Sequence, residues 1–159
     1  MNKINPPTSD KSTARKIVQE NISSLKIEEK INASQKICDQ LRGIIQKEKP
    51  HTIITYHHLS DEVDISSIKT WFQNIGTVVT VSQDGSFESF DDDANIIALI
   101  PGRAFTKNGK RIGRGSGYYD EFIAHHPKIK TIGICFECQL FEDLPEDIWD
   151  KRMAQVVFG

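Results

Sequence analysis

The strongest constraint in this sequence is a change of period that recurs along the chain. Short β-branched runs at Thr52 to Tyr56, Thr77 to Val81, Asn95 to Ile100, Thr131 to Phe136 and Gln155 to Phe158 each read as a strand. Between them the spacing becomes helical. Ile65, Ile68, Phe72 and Ile75 separate the first two runs, and a helix starting near Tyr118 separates the third from the fourth. Strands that alternate with helices pair in parallel, because the helix supplies the crossover that a parallel neighbour requires. The expected fold is therefore α/β and doubly wound, a mostly parallel sheet with helices on both faces, in a single domain over residues 1–159. Ligands of such sheets sit beyond the carboxyl ends of the strands, and polar, Gly-rich segments follow the strand ends at Tyr56 and Ile100.

Two helices precede the first strand. Asp10 is placed to cap one whose apolar residues Ala14, Ile17, Val18, Ile22 and Leu25 recur at helical spacing. Lys11 and Arg15, four apart, then share a face. Ile27, Ile31, Ser34, Cys38, Leu41 and Ile45 mark the second helix, which Pro50 ends. Residues 1–9, polar and carrying Pro6 and Pro7, are expected to be a flexible tail.

Bulk properties exclude several function classes. The 20 Lys and Arg nearly balance 22 Asp and Glu, so a net charge of -2 gives no global reason to expect nucleic acid or an anionic membrane as partner. Any anion site must be local. No apolar run approaches the length of a membrane span, and MNKINPPTSD lacks the apolar core of a signal peptide, so a soluble, cytoplasmic protein is expected. Three cysteines are too few for a disulfide framework, in keeping with that compartment. Cys135-x-x-Cys138 has redox-motif spacing, yet it closes an apolar strand run and has no second pair for zinc; it reads as structural.

The segment that carries chemistry is Pro101 to Phe122, PGRAFTKNGKRIGRGSGYYDEF. Arg103, Lys107, Lys110, Arg111 and Arg114 place five cations before the next acid, Asp120, and Gly113, Gly115 and Gly117 alternate just ahead of the Tyr118 helix. Glycines there let backbone N–H groups converge on an anion at a helix N-terminus. The Gly-x-Gly-x-Gly spacing matches neither the dinucleotide fingerprint nor the Walker loop. The residues themselves point to a phosphate site after a strand, with Asp120 suited to a hard cation such as Mg²⁺.

At this point the sequence resembles a known family. Pro101-Gly102, Ala104-Phe105, Gly109, Arg111, Gly113 and Gly115-x-Gly117-Tyr118-Tyr119-Asp120 are similar to the C-terminal motif of the 5-formyltetrahydrofolate cyclo-ligases. The resemblance continues through Gly133, Gln139, Leu144-Pro145 and Asp150. It reappears at Lys11-x-x-Ala14-Arg15 and in the acidic turn Ser60-Asp61-Glu62-Val63-Asp64.

The resemblance implies an enzyme that uses ATP and Mg²⁺ to close 5-formyltetrahydrofolate to 5,10-methenyltetrahydrofolate. It implies an ATP site of Lys11, Arg15, Arg111, Ile112, Gly113, Arg114, Gly115, Ser116, Gly117, Tyr118 and Tyr119, with Asp120 and Asp150 around the metal. Arg114 and Lys11 are the expected catalytic cations. The folate is expected at His57, Glu62, Arg114, Gly115, Ser116, Gly117 and Tyr118, with the Glu62 carboxylate accepting two hydrogen bonds from the pterin edge. Taken alone, without the resemblance, Glu62 reads as an exposed acid at a helix entry, with Asp64 as the cap. Of Tyr118 and Tyr119, one is expected in the core and one against a flat ring.

The pairs His57-His58 and His125-His126 do not read as metal sites, because adjacent residues on an extended chain point to opposite sides. Expected partners are thus small molecules, with no nucleic acid and no membrane, and a monomer is the favoured state. The chain departs from the family pattern at Thr106 and Ala154, where acids are usual, and in a shorter stretch from Gln83 to Ala94. The remaining loop, with Phe87 and Phe90, or a neighbouring subunit is then left to close the folate pocket. That shortening makes a catalytically inactive ATP- or folate-binding relative the alternative reading.

Overall fold

Asp10 decides where the chain becomes regular. Its carboxylate accepts from the Thr13 N–H at 2.8 Å and opens helix α1 (Lys11–Ser24), in the manner expected of that residue. Helix α2 (Ile27–Glu48) follows after a two-residue turn. Lys49 ends it in the left-handed region, just ahead of Pro50. The computed structural model of the protein describes residues 4–82, 84–86, 88–92 and 95–159; Phe87 lies outside the described residues.

Five strands form the main sheet: β1 (Thr52–Tyr56), β2 (Thr77–Val81), β3 (Ile96–Ile100), β6 (Lys130–Cys135) and β8 (Gln155–Phe158). They run in the order β2-β1-β3-β6-β8 with every pairing parallel. The helix α3 (Ser66–Phe72) links β1 to β2, and α4 (Tyr118–His125) lies between β3 and β6. β1 and β3 are buried along their whole length, which is why they read as unbroken apolar runs.

Alternation along the strands divides the core in two. Ile53, Ile97, Leu99, Ile132 and Ile134 meet Ala14 and Val18 of α1, Ile37, Leu41 and Ile45 of α2, and Ile68 and Phe72 of α3. Each fully buried aliphatic chain contributes about 1.5–3 kcal/mol relative to exposure, so these faces, not helix propensity, hold the layer. Ile54, Val79, Ala98 and Ile100 face the other way, toward Phe122 of α4. Helices therefore cover both faces, as the period predicts.

The second face has a component absent from the sequence reading. β4 (Ala104–Thr106), β5 (Arg111–Ile112) and β7 (Leu140–Phe141) form a small mixed sheet ordered β5-β4-β7. Phe105 and Leu140 turn from it into the core. β4 and β5 form a hairpin whose bend holds Gly109 at φ +98°; a Cβ there would collide with the Met153 carbonyl. The segment ahead of α4 is thus a hairpin followed by the glycine loop. Strands of two and three residues, rich in cations, carry no periodic signal.

Two further expectations are corrected. The stretch read as a flexible tail over 1–9 is tied down from Asn5 onward. Its N–H donates to the Leu140 carbonyl at 2.9 Å and its carbonyl accepts from the Glu142 N–H at 2.9 Å, adding a strand-like rung to β7. The Asn5 amide also bonds the Cys138 and Leu140 carbonyls. Ile27 and Ile31, placed on the buried face of α2, are 78% and 59% exposed, because the buried stripe starts only at Ser34. Among the described residues no helix is long and apolar enough to cross a membrane.

Candidate active site

The carboxyl ends of β1, β2 and β3 lead into a cleft of about 640 Å³. Tyr56, His57, Leu59 and Glu62 enter it after β1, Val81, Ser82 and Gly85 after β2, and Pro101 and Gly102 after β3. The loop from Gly113 to Gly117 and the first turn of α4 supply another wall, and Lys11, Arg15, Trp149 and Asp150 close the rest. Its size is that of a site for one or two small molecules.

The glycine loop begins where β5 ends. Gly115 has φ +116° and Gly117 φ +71°, conformations that L side chains rarely adopt, so the alternation follows from the backbone path into α4. Arg15 Nε donates to the Gly113 carbonyl at 2.9 Å and ties α1 to this loop. One turn earlier, Lys11 Nζ bonds Asp150 at 2.6 Å and Asp147 at 2.7 Å. Burial opposes its charge, but these carboxylates raise the Lys11 ammonium above its ordinary value.

Arg111 lies beneath the loop, 8% exposed. Its Nε donates to the Pro101 carbonyl at 2.8 Å, and the guanidinium carbon sits 5.1 Å from the centre of the Tyr119 ring. Burial lowers the affinity of this side chain for its proton, and the nearby Asp120 carboxylate works against that fall. Such a desolvated cation at the floor of a cleft attracts an anion. Tyr119 is the more buried tyrosine, its phenol pushed far up by burial, while Tyr118 donates its hydroxyl to the Gly85 carbonyl at 2.9 Å and lines the cleft.

Across the cleft stands the acidic turn after β1. The Tyr56 hydroxyl donates to the Val63 carbonyl at 3.0 Å and fixes the turn from below. Glu62, its side chain 9% exposed, accepts from the Leu59 N–H at 3.0 Å through one oxygen and from Arg114 Nη2 at 3.0 Å through the other. Arg114 also reaches Asp61 at 2.6 Å, and Asp61 in turn bonds the buried Arg103. Burial pushes the Asp61 carboxyl up, but Arg114 and Arg103 together hold it below its ordinary value. Asp64, named as a helix cap, is corrected by one position: Ile65 takes the cap of α3, and the Asp64 carboxylate accepts from the Ser66 N–H at 2.9 Å.

The structure thus gathers most of the residues singled out in the sequence: Lys11, Arg15, His57, Glu62 and Arg111 to Asp120, with Asp150, all line one cleft. It corrects the reading of the five cations as a single cluster. The hairpin sends them apart: Arg103 goes to Asp61, Lys110 to Asp143 and the Leu144 carbonyl, and Lys107 lies over the Phe158 ring, leaving Arg111 and Arg114 for the cleft. Trp149 was missed as part of the cleft's lining, and Asp61 and Arg103 as the ion-pair chain that holds Arg114. Asp61 had a signal in its acidic turn; the pairing with Arg103 spans 42 positions and had none.

His58 pairs with Asp64, and His126 packs against Phe90 and Phe122, outside the cleft. Among the described residues no group of three or more His, Cys, Asp and Glu is arranged to hold a metal. The three thiols are free. Cys135 is buried, and burial pushes the Cys138 thiol up to about 11, so neither forms a thiolate near neutral pH.

Residues 85–159, which contain the glycine loop, Asp120 and Asp150, match the model of the 5-formyltetrahydrofolate cyclo-ligase family. The whole fold is also similar to that of a 5,10-methenyltetrahydrofolate synthetase from Mycoplasma pneumoniae. Its TM-score is 0.79 at 26% identity, over 93% of this chain and 98% of that one. Over residues 85–159 the chain is similar to the 5-formyltetrahydrofolate cyclo-ligase family. Two relatives that carry the family name come from Mus musculus, 33% identical over 67 residues, and Escherichia coli (strain K12), 36% identical over 63. Those alignments take in 39% and 38% of this chain and 33% and 35% of the relatives, so the matched stretch spans about a third of either.

Proposed function

We propose that this chain catalyses the ATP-dependent closure of 5-formyltetrahydrofolate to 5,10-methenyltetrahydrofolate. The observation that carries the reading is the joining, in one cleft, of a cationic glycine loop with a buried carboxylate on the opposite wall. The first suits a triphosphate, the second the donor edge of a pterin. ATP takes the Lys11, Arg15 and Gly113 to Gly117 side, with Arg111 beneath it. The folate takes the side of His57, Glu62 and Tyr118.

The chemistry then follows from bringing the two together. The formyl oxygen, a poor leaving group, attacks the γ-phosphorus and ADP departs. N10 adds to the activated formyl carbon, loses its proton, and expulsion of phosphate leaves the methenyl bridge between N5 and N10. Orientation accounts for most of the acceleration, and cations offset the charge that develops on the transferring group. Arg114 supplies that charge by leaving Glu62 and Asp61 for the phosphoryl oxygens, and the same movement opens Glu62 to the pterin. Lys11 holds its place through Asp150 and Asp147.

Asp120 and Asp150 would hold Mg²⁺. Both enter the cleft, Asp120 fixed through one oxygen by the Lys151 N–H at 2.9 Å and Asp150 by the Asp147 N–H at 2.8 Å. One or two carboxylates with phosphate and water oxygens suit this ion, which would neutralise charge on the phosphates. The working compartment is the cytoplasm and the partners are small molecules. Phosphate release from ATP by the purified chain is expected only when 5-formyltetrahydrofolate is present. Equal release without the folate would defeat the reading.

A further inference from the structure

Among the described residues, five large hydrophobic side chains are exposed, and two are neighbours on one turn: Ile148, 94% exposed, and Trp149, 66% exposed. The turn that carries them is not loose. The Asp147 N–H donates to Asp150 at 2.8 Å, Lys11 bridges the two carboxylates, and Arg152 grips Glu146 through two bonds of 2.7 Å. A braced turn that presents an indole to water at the rim of a cleft holds a flat apolar surface ready.

The cleft's lining indicates what that surface receives. Tyr56, His57, Val81, Ser82 and Gly85 come from the ends of β1 and β2, and Tyr118 is tied to that flank through Gly85. Trp149 instead adjoins Asp150, the partner of Lys11 on α1, which Arg15 connects to the glycine loop. The indole therefore belongs to the nucleotide flank. We infer that Trp149 is the platform on which the base of the bound nucleotide stacks. This rests on the nucleotide reading of the cleft and deepens it. Since every base offers a π-face, a stacking platform recognises the base with little discrimination between purines.

The test uses the full chain with ADP and, separately, inorganic tripolyphosphate as probes. Trp71 and Trp149 are the two tryptophans, so a Trp71→Phe variant isolates the emission of Trp149. ADP is expected to quench that emission, and tripolyphosphate to displace ADP without quenching. Trp149→Ala should weaken ADP about tenfold or more, Trp149→Phe should restore most of the loss, and tripolyphosphate affinity should stay unchanged in both. GDP should bind within a few-fold of ADP. Calorimetry that gives wild-type ADP affinity for Trp149→Ala overturns the platform and leaves the nucleotide site standing. An equal loss for tripolyphosphate overturns it too, as it would place the effect on the Lys11 bracket. Absence of any ADP binding by the wild-type chain would remove the nucleotide reading and the platform together.

Discussion

At the scale of single residues, Glu62 and Arg114 carry opposite halves of the proposed chemistry and are found holding each other. Glu62→Gln keeps the shape and removes the charge that a pterin edge would pair with. The folate KM should rise roughly tenfold or more while ATP affinity changes little, since charge-assisted bonds contribute about 1.5–3 kcal/mol. Equal loss of both substrates would remove the assignment of sides. Asp120→Asn should abolish the Mg²⁺ dependence of turnover, and activity that keeps that dependence would relocate the metal. Asp61 gives a prediction in pH. Its carboxyl is held low by Arg114 and Arg103 in the folded state, so the stability it contributes is present at neutral pH and is lost as pH falls through the lowered folded value. The stability gap between wild type and Asp61→Asn should therefore close below about pH 4 in denaturant melts. A gap that is constant down to pH 3 would contradict this.

At the scale of elements, the glycine loop and α1 must act together, because Arg15 bonds a loop carbonyl and Lys11 a loop-flanking acid. Gly115→Val forces a β-branched residue to φ +116° and should abolish nucleotide binding with the melting profile nearly kept. Strands β1, β2 and β8 occur where the β-branched runs begin and end, and α1 opens at its capping Asp10. Those features were legible because each depends on local period or a local cap. The small sheet was not, since its strands are two or three residues long and its pairing partners β4 and β7 lie far apart in the chain. The exposed ends of α2's apolar stripe were misread for a related reason: period fixes a face, while burial depends on what the fold places opposite.

For the whole molecule, the shortened span between β2 and β3 was the feature that favoured an inert relative. The Mycoplasma pneumoniae synthetase is of similar length, since the match covers 93% of this chain and 98% of that one. In this protein Ser82 and Gly85 line the cleft and Phe90 packs on Phe122, so the short span still meets both the cleft and α4. Most of the cleft's lining was legible in type, as a cationic glycine loop facing a carboxylate. The Arg114 to Asp61 to Arg103 chain was not, because tertiary ion pairs leave no spacing to read. The most direct measurement is the near-ultraviolet absorbance of the methenyl product, followed with purified chain, 5-formyltetrahydrofolate, ATP and Mg²⁺. The account predicts that it rises with all components present and stays flat when ATP or Mg²⁺ is withheld. Protein that binds ATP yet forms no methenyl product at any folate concentration would contradict it.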